Sequence, residues 1–269
     1  MHILFVGYGK TSQKLAKPLF EQGHQITTIS LSLKTDPYAT HLTQDVHALN
    51  LQHVSAIDVV YVLLSPKESS KEAYQLTYLN SVPAIVSALE GHPVRRIIVV
   101  SSTRVYGENK GEVVNDESPI HPQDRQGQIL YEMERAYLKA FGERCVIVRP
   151  SGIYGTSVAR LQKMAYQNQH YPNLHWSNRI HINDLIAFLI QLLHVEHPDS
   201  SYILTNNQPA YLHEILQWFQ RQMYLPELNV ESDQVTGKRL YATRMEKLAF
   251  QLKHQDCYQD YFALIHKKT

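Results

Sequence analysis

The first 150 residues alternate short apolar runs with longer amphipathic ones, and this alternation restricts the fold more than any other feature of the chain. The apolar runs, rich in branched residues, predict buried strands over 3–6, 25–30, 58–64, 96–101 and 145–148. Helical spacing predicts helices over 11–22, about 70–89 and 125–141. Pro83 ends or kinks the second of these helices, or opens a new one. Continuous apolar strands that alternate with helices are typical of a parallel sheet covered on both faces.

A glycine pair follows the first predicted strand and opens the first predicted helix. Gly7 permits a tight turn, and Gly9 lets the backbone approach a pyrophosphate at the helix N-terminus. Ser12 takes the place of the third glycine in the G-x-G-x-x-G fingerprint, and serine is small enough for helix–strand packing. A turn without a ligand is the alternative. The predicted dinucleotide-binding segment comprises Gly7, Tyr8, Gly9, Lys10, Thr11 and Ser12.

The end of the second predicted strand bears on which dinucleotide is bound. A site that prefers NAD commonly has an acid here, which holds the ribose hydroxyl. The sequence reads Ser30-Leu31-Ser32-Leu33-Lys34, and the first acid is Asp36. Ser30 and Lys34 suit a 2′-phosphate better than a carboxylate would. The predicted cofactor is therefore NADP or NAD, with NADP slightly favoured; the alternative is that Lys34 is a solvated loop residue.

Charge and composition exclude several classes of protein. The 26 basic and 25 acidic residues give a net charge of +1, which argues against a dedicated binder of nucleic acid or of an anionic membrane. No apolar stretch approaches about 18 residues and no basic leader precedes the first strand, so we expect a soluble cytoplasmic protein. The 15 histidines are scattered without ligand spacing, and Cys145 and Cys257 stand alone, so we predict no metal site and no disulfide framework.

Several segments occur in the order found in the extended and atypical short-chain dehydrogenases/reductases, the NAD-dependent epimerase/dehydratase-like proteins, and the chain resembles this family. The matching segments are VGYG (6–9), DVVYVLLSP (58–66), VVSSTRVYG (99–107), VIVRPSGIYG (146–155) and RIHINDL (179–185). The tail around 237–240 and 250–252 also resembles the family's C-terminal end. The resemblance therefore spans nearly the whole chain.

The resemblance implies roles for individual residues. Asp45 would lie near the adenine, and Leu64-Ser65-Pro66 beside the ribose and the phosphates. Ser101 and Ser102 would lie under the nicotinamide, and Ser102 matches the family's catalytic Ser/Thr. Pro150 would flank the nicotinamide. Ordinary structural roles are the alternative: a cap for Asp45, and a strand end for Ser65 and Pro150.

The helix that precedes the Arg-Pro strand departs from the family's pattern, which has a Tyr-x-x-x-Lys pair there. In one register Tyr131-x-x-x-Arg135 replaces the pair, and Tyr131 and Arg135 are then catalytic candidates. Arginine can lower the pKa of a tyrosine but stays charged itself. In the other register Glu134 matches the glutamate eight residues after the tyrosine, and Gln126 and Leu130 occupy the acid/base positions. The second register suits the helix phase better, whereas the first keeps a tyrosine.

The sequence and the resemblance together predict an α/β fold, a Rossmann-type doubly wound parallel sheet with a smaller C-terminal substrate region. Asn183-Asp184 is predicted to cap an apolar helix over 185–193. The predicted division gives residues 1–152 to an NAD(P)-binding Rossmann domain, with 179–205 packing back onto it, and gives 153–178 and 206–269 to a substrate-binding region.

Three functional hypotheses follow. The first is an NAD(P)-dependent oxidoreductase or epimerase that acts on a sugar-like or nucleotide-sugar substrate. The second is a non-catalytic NAD(P)-binding regulatory or sensor module of the atypical type, and the third is a vacant Rossmann fold. A small-molecule substrate is the expected partner, with no nucleic acid and no membrane. The resemblance also implies a homodimer formed through helices at about 70–90 and 125–141.

Overall fold

The strands form one large sheet and three smaller ones. The structure, a computed structural model, describes residues 1–266. Its strands are β1 (His2–Val6), β2 (Gln25–Ser30), β3 (Thr40–Thr43), β4 (Val59–Val62), β5 (Arg96–Val100), β6 (Lys110–Asn115), β7 (Cys145–Pro150), β8 (Gly152–Tyr154), β9 (His170–Tyr171), β10 (Leu174–Ser177), β11 (Arg179–His181), β12 (Ser201–Leu204), β13 (Ala210–Tyr211), β14 (Asn229–Val230) and β15 (Val235–Tyr241).

The large sheet has the strand order β12-β7-β5-β4-β1-β2-β3. Strand β1 pairs in parallel with β2 on one side and with β4 on the other, so that Ile3 lies opposite both Ile26 and Val59. The pairs β2–β3, β4–β5 and β5–β7 are parallel as well. The order of strands therefore reverses between β1 and β4, and ligands of such sheets bind outside the carboxyl ends of the strands at this switch point. The predicted α/β Rossmann-type fold is confirmed.

Helices connect most of these strands. They are α1 (Lys10–Glu21), α2 (Lys71–Tyr74), α3 (Val82–Ala88), α4 (Arg125–Phe141), α5 (Ala159–Gln167), α6 (Ile182–Gln191), α7 (Leu212–Gln222), α8 (Thr243–Lys247) and α9 (Cys257–Ile265). Among residues 1–266, no helix combines the length and the apolar character needed to cross a membrane.

The stretch predicted as one helix over about 70–89 is divided into three parts. Helix α2 continues directly into a π-helical segment, Gln75–Leu79, and α3 then begins at Val82 with Pro83 in its first turn. Proline is tolerated at that position because the first N–H groups of a helix have no partner within it. The prediction that Pro83 opens a second helix is confirmed.

The chain folds into two compact units. Unit 1 comprises residues 1–107, 120–149 and 186–202, and unit 2 comprises 108–119, 150–185 and the residues from Ile203 onward. In unit 1 the buried rings of Phe5 and Tyr61 stack with their centroids 5.2 Å apart. Unit 2 contains the four-stranded sheet β13-β10-β15-β6 and an apolar cluster in which Phe219 packs against Tyr261 at 5.2 Å.

The role of Asp184 differs from the sequence prediction. Helix α6 begins at Ile182, so Asp184 lies inside its first turn and is not the residue that precedes it. The buried carboxylate instead accepts hydrogen bonds from the backbone N–H groups of Lys253 at 3.1 Å and of His254 at 3.0 Å. Asp184 therefore fastens a distant loop of unit 2, and the prediction that it caps its own helix is wrong.

Candidate functional site

The turn between β1 and α1 depends on Gly7. Its φ of +91° lies in the left-handed region, which residues with a side chain rarely adopt. A Cβ atom on this residue would lie 2.4 Å from the backbone oxygen of Leu63, just after β4. The Gly7 N–H donates to the Ile29 oxygen at 3.1 Å. The glycine therefore lets the chain turn tightly across the switch point of the sheet.

The N-terminus of α1 is open at Gly9. This residue precedes the helix with an ordinary φ of −89°, and no side chain within the described residues caps the helix. A Cβ atom on Gly9 would meet nothing within 4 Å. The Ser12 hydroxyl donates a hydrogen bond to the Gly7 oxygen at 2.8 Å and so stabilises the turn. Free N–H groups, a helix dipole and open space together fit a pyrophosphate.

The segment that follows β4 lies against the turn between β1 and α1, called here the phosphate cradle. The Cδ2 atom of Leu64 is 3.1 Å from the position of a Cβ on Gly7. Ser65 is exposed and Pro66 is half-buried. The structure therefore brings Leu64-Ser65-Pro66 to the edge at which the resemblance places the ribose and the phosphates.

Ser30 ends β2, and Lys34 lies in the loop that follows it. The Ser30 hydroxyl donates to the Ser32 oxygen at 2.5 Å, which stabilises the start of the loop over residues 31–39. Lys34 is half-buried in that loop. Within residues 1–266 its ammonium group has no salt bridge, so it is available to an anionic ligand.

Asp45 has a local structural task. It precedes the 3-10 turn Val46–Ala48 and accepts hydrogen bonds from the backbone N–H of His47 at 2.9 Å and from its Nδ1 at 2.7 Å. The backbone hydrogen bond and then the imidazole lower the pKa of this carboxyl group. The geometry accounts for Asp45 as a cap, and its place near an adenine stays a prediction.

Two serines stand at the carboxyl end of β5. The Ser102 hydroxyl accepts a hydrogen bond from the Arg104 N–H at 3.2 Å and caps the short turn Thr103–Val105. Ser101 is buried, and among the described residues its hydroxyl has no hydrogen-bond partner. A buried polar group without a partner costs about 1–3 kcal/mol. A ligand that bonds Ser101 would remove this cost.

Helix α4 begins close to these serines. Asp124 caps it by accepting from the Gly127 N–H at 2.8 Å, and the Arg104 guanidinium donates to the same carboxylate at 3.0 Å. A Cβ on Gly127 would come within 2.9 Å of the Arg104 oxygen, so the helix packs closely on the loop after Ser102. The Gln126 side chain donates to the Ser69 oxygen at 2.8 Å, in the loop that leads from β4 to α2.

The Tyr131 and Arg135 side chains of the first register are in contact. The Arg135 guanidinium carbon lies 5.9 Å from the centroid of the Tyr131 ring, as in a cation–π pair. Tyr131 is half-buried and Arg135 is exposed. The catalytic role of the pair stays a prediction.

A buried network supports the second register. Glu134 accepts from Arg149 Nη2 at 2.8 Å and from its Nε at 3.1 Å, and Arg149 Nη1 donates to the Tyr106 hydroxyl at 2.9 Å. Burial alone would lower the pKa of Arg149, but the charge of Glu134 outweighs it and raises that pKa. The pair holds α4 against β7 through Glu134, the residue that the second register matches. The assignment of Gln126 and Leu130 to the acid/base positions stays a prediction. A glutamate within an apolar helical stripe and an arginine within an apolar strand were the available sequence signals.

Pro150 is the last residue of β7 and is buried. The structure thus gives it the strand-ending position that the sequence suggested as an alternative. Its contact with a nicotinamide stays a prediction.

A cluster in unit 2 resembles a metal site, since ligand atoms of His181, His254 and Asp260 lie within 4.8 Å of one another. The two imidazole rings, however, are stacked with centroids 3.5 Å apart and planes at 20°. Imidazole lone pairs lie in the ring plane, so two nearly parallel rings cannot both point at one ion about 2.0–2.1 Å away. His254 Nδ1 instead lies 2.7 Å from Asp260, whose other oxygen accepts from Tyr154 at 2.6 Å. This geometry favours a hydrogen-bonded cluster.

Comparison with known proteins agrees with the geometry of unit 1. A sequence model of the NAD dependent epimerase/dehydratase family matches residues 7–198. Protein YeeZ of Escherichia coli (strain K12) is 25% identical over 276 residues, which cover 94% of this chain and 96% of YeeZ. A structure from Methylobacillus flagellatus, assigned as an NAD-dependent epimerase/dehydratase, is 29% identical with a TM-score of 0.85 and covers 99% of this chain and 98% of its own.

More distant structures share the fold. UDP-glucuronic acid 4-epimerase from Bacillus cereus, solved in complex with NAD, is 17% identical with a TM-score of 0.79 and covers 99% of both chains. At this identity the likeness concerns the fold and not the substrate.

Proposed function

This chain belongs to the NAD dependent epimerase/dehydratase family, and from that premise we propose that it binds a nicotinamide dinucleotide in unit 1 and uses it in an oxidoreductase or epimerase reaction. The proposed substrate is a sugar-like molecule or a nucleotide sugar. The observation that carries the proposal is the open N-terminus of α1, where Gly9 leaves free space in front of uncapped N–H groups. The unpartnered hydroxyl of Ser101 supports a ligand at the same edge of the sheet.

The relatives support the choice of ligand class. The Bacillus cereus 4-epimerase was solved with NAD, and a second distant neighbour, MoeE5, was solved with UDP-glucose and NAD. For this chain we propose NADP as the slightly preferred dinucleotide, because the segment from Ser30, the last residue of β2, to Lys34 contains no carboxylate. Lys34 offers the cation that a 2′-phosphate needs.

The proposed chemistry distributes roles among three side chains. The dinucleotide supplies or accepts a hydride when it is bound. The Ser102 hydroxyl, at the end of β5, donates a hydrogen bond to a substrate oxygen. Tyr131 exchanges a proton with the substrate, and the Arg135 guanidinium lies over its ring. Arg135 cannot relay that proton, since guanidinium groups stay charged.

A second candidate function is dinucleotide binding without turnover, as in a redox-reading regulator. The Glu134–Arg149 pair supports it, because Glu134 is the residue that the second register matches. In that register Gln126 and Leu130 occupy the acid/base positions. Neither an amide nor an aliphatic side chain transfers protons near neutral pH. Gln126 instead donates to the Ser69 oxygen.

Two measurements test these proposals. Calorimetric titration with NAD⁺, NADH, NADP⁺ and NADPH should show binding to the wild type and much weaker binding to Gly9→Ala, whose added methyl group occupies the open space. Lys17→Ala is the control, because Lys17 is exposed on α1 about two turns away from Gly9. Failure of all four dinucleotides to bind would leave a vacant fold and refute the proposal.

Turnover then separates the two functions. Oxidation of the bound reduced cofactor, or epimerisation, is followed with a panel of nucleotide sugars. An enzyme should lose activity at least about 100-fold in Tyr131→Phe and in Ser102→Ala, the usual range for a general acid/base group. Tight dinucleotide binding without turnover of any sugar in the panel would favour the regulator.

A further inference from the structure

His47 lies between two hydrogen-bond acceptors, in the 3-10 turn Val46–Ala48 that follows β3. Its Nδ1 atom is 2.7 Å from Asp45 Oδ1, and its Nε2 atom is 3.0 Å from the backbone oxygen of Leu76. Asp45 is a local neighbour, whereas Leu76 is 29 residues further along the chain, in the π-helical segment Gln75–Leu79. The imidazole ring therefore joins two separate elements of unit 1.

Both acceptors require a proton on the ring nitrogen that faces them. A carboxylate and a carbonyl oxygen have no hydrogen to donate, and a neutral imidazole carries a proton on only one of its nitrogens. The two contacts therefore form together only when the ring is an imidazolium ion. The bond to the Leu76 oxygen raises the pKa of His47 most; burial opposes this effect, and Asp45 raises that pKa again.

Loss of one proton breaks the long-range contact first. The Asp45 carboxylate keeps the remaining proton on Nδ1, because an anion is a stronger acceptor than a neutral carbonyl group. The lone pair of Nε2 then faces the lone pairs of the Leu76 oxygen, and this contact is repulsive. The His47 side chain is 33% exposed, so the ring can exchange its proton with water while the rest of unit 1 stays folded.

The elements around the ring contribute few other charges. Helix α3 packs against the turn and contains no titratable side chain. The π-helical segment contributes Tyr78, and burial raises the pKa of its hydroxyl to about 12, so this phenol stays neutral below about pH 9. On α2, Lys71 and Glu72 are exposed and pair with each other at 3.7 Å. Within residues 1–266, Asp45 is the one group that forms an ion pair with His47.

We propose that His47 is a pH-sensitive tether: its protonated ring holds the turn Val46–Ala48 against the π-helical segment, and loss of the proton releases the turn. The folded state holds this proton more tightly than the unfolded state does. The stabilisation is therefore complete below about pH 6.5 and is lost as the pH rises through the folded-state pKa of His47. The tether does not depend on the proposed dinucleotide binding.

The first measurement is the protonation state of His47 in the full chain without added dinucleotide. At about pH 6.5, where an ordinary imidazole is half protonated, nitrogen-15 chemical shifts should show protons on both ring nitrogens in most molecules.

Hydrogen exchange then measures the release of the turn. The Ala48 and Asn80 amides donate to the Asp45 and Gln75 oxygens at 3.0 and 2.9 Å, so they report on the turn and on the π-helical segment. Their protection, corrected for the intrinsic exchange rate at each pH, should fall about fivefold to tenfold between about pH 6 and about pH 9.

Asp45→Asn distinguishes a tether that titrates from a loop contact of fixed strength. Asparagine also caps helical turns, and its amide group can donate to Nδ1 of a neutral ring, which leaves the proton on Nε2 for the Leu76 oxygen. Protection in this variant should therefore stay constant up to about pH 9. His47→Ala should show the low protection at every pH. The matched control is His53→Ala, which removes an exposed imidazole from the same connection and should behave as the wild type.

Three results would overturn the inference. They are a wild-type protection that does not change with pH, an Asp45→Asn variant that loses protection as the wild type does, and a His47 ring that is mostly neutral at about pH 6.5. None of them bears on dinucleotide binding, which the calorimetric titrations measure separately.

Discussion

The ion pair between Glu134 and Arg149 should make a large contribution to the stability of unit 1, and Glu134→Gln tests it. Glutamine keeps the size of the side chain and one acceptor oxygen but removes the charge. In the structure the carboxylate receives three hydrogen bonds from Arg149, at 2.8, 3.1 and 3.3 Å. The two side chains are 1% and 6% exposed. The substitution therefore leaves a guanidinium charge in the interior without its counterion.

The magnitude follows from burial. Removal of one partner from a buried ion pair costs about 3–5 kcal/mol, since the remaining charge is neither solvated nor paired. The pair of Arg221 and Glu227 has the same 2.8 Å distance between nitrogen and oxygen, but its side chains are 51% and 45% exposed. Glu227→Gln should cost no more than about 1 kcal/mol. The two ion pairs have the same nitrogen–oxygen distance and differ in burial, so the two variants measure how burial changes the contribution of an ion pair to stability.

Denaturant titration at pH 7.5 gives the free energy of unfolding of each variant. The double variant Glu134→Leu/Arg149→Met should be more stable than Glu134→Gln, because it leaves no unpaired charge inside. A loss of less than about 1 kcal/mol in Glu134→Gln would refute the reasoning. So would equal losses in Glu134→Gln and Glu227→Gln.

Three further results are expected. Gly7→Ala should lower the free energy of unfolding by about 2–4 kcal/mol in a denaturant titration, because an alanine is strained at a left-handed φ and its Cβ would collide with the backbone after β4. Gly9→Ala should lower it by less than about 1 kcal/mol in the same titration. Tyr61→Phe should cost about 1 kcal/mol, because its buried hydroxyl donates to the Leu189 oxygen at 2.7 Å. Burial lowers the pKa of His213, so below about pH 6.5 the unfolded state binds a proton that the folded state binds less readily. The free energy of unfolding should therefore fall as the pH drops through that range, and should fall less steeply in His213→Phe.

The elements of unit 1 could be predicted because they carry strong local signals. The helix over 125–141 matches α4 residue for residue, since its apolar stripe is bounded by a capping Asp124 and by Gly142, whose φ is +55°. Strand β2 likewise matches the predicted range 25–30. Strands β1, β4 and β7 are buried along their whole length, so their continuous apolar runs are unambiguous.

Most strands of unit 2 could not be predicted in this way. Strands β9, β13 and β14 are two residues long, which is too short for any periodicity. Strand β6 has a partly exposed pattern and pairs with β15, far away along the chain. Its existence depends on a partner that local sequence does not reveal.

The same contrast holds within the candidate site. The turn between β1 and α1 could be predicted because its tight backbone at Gly7 and its open helix start at Gly9 both need glycine, and glycine is visible in the sequence. The bond from Gln126 to Ser69 and the cap formed by Asp45 depend on side-chain directions, which spacing does not determine. The bond between Glu134 and Arg149, which bears on the two helix registers, likewise could not be read from spacing.

The division of unit 2 into three chain segments has a consequence for the order of folding during synthesis. Strands β1 to β5 can begin to pair as they leave the ribosome, because each has at least one neighbour within the first 100 residues. Strand β6 leaves early, but its one neighbour in the four-stranded sheet, β15, is made more than 100 residues later. Until β15 has been made, β6 has no strand to pair with and can form incorrect pairings or aggregate. The contacts of Asp184 with Lys253 and His254 form later still, because these two residues follow β15 in the sequence. A nascent chain that stalls late would therefore carry a complete unit 1 and an incomplete unit 2 that is prone to aggregation.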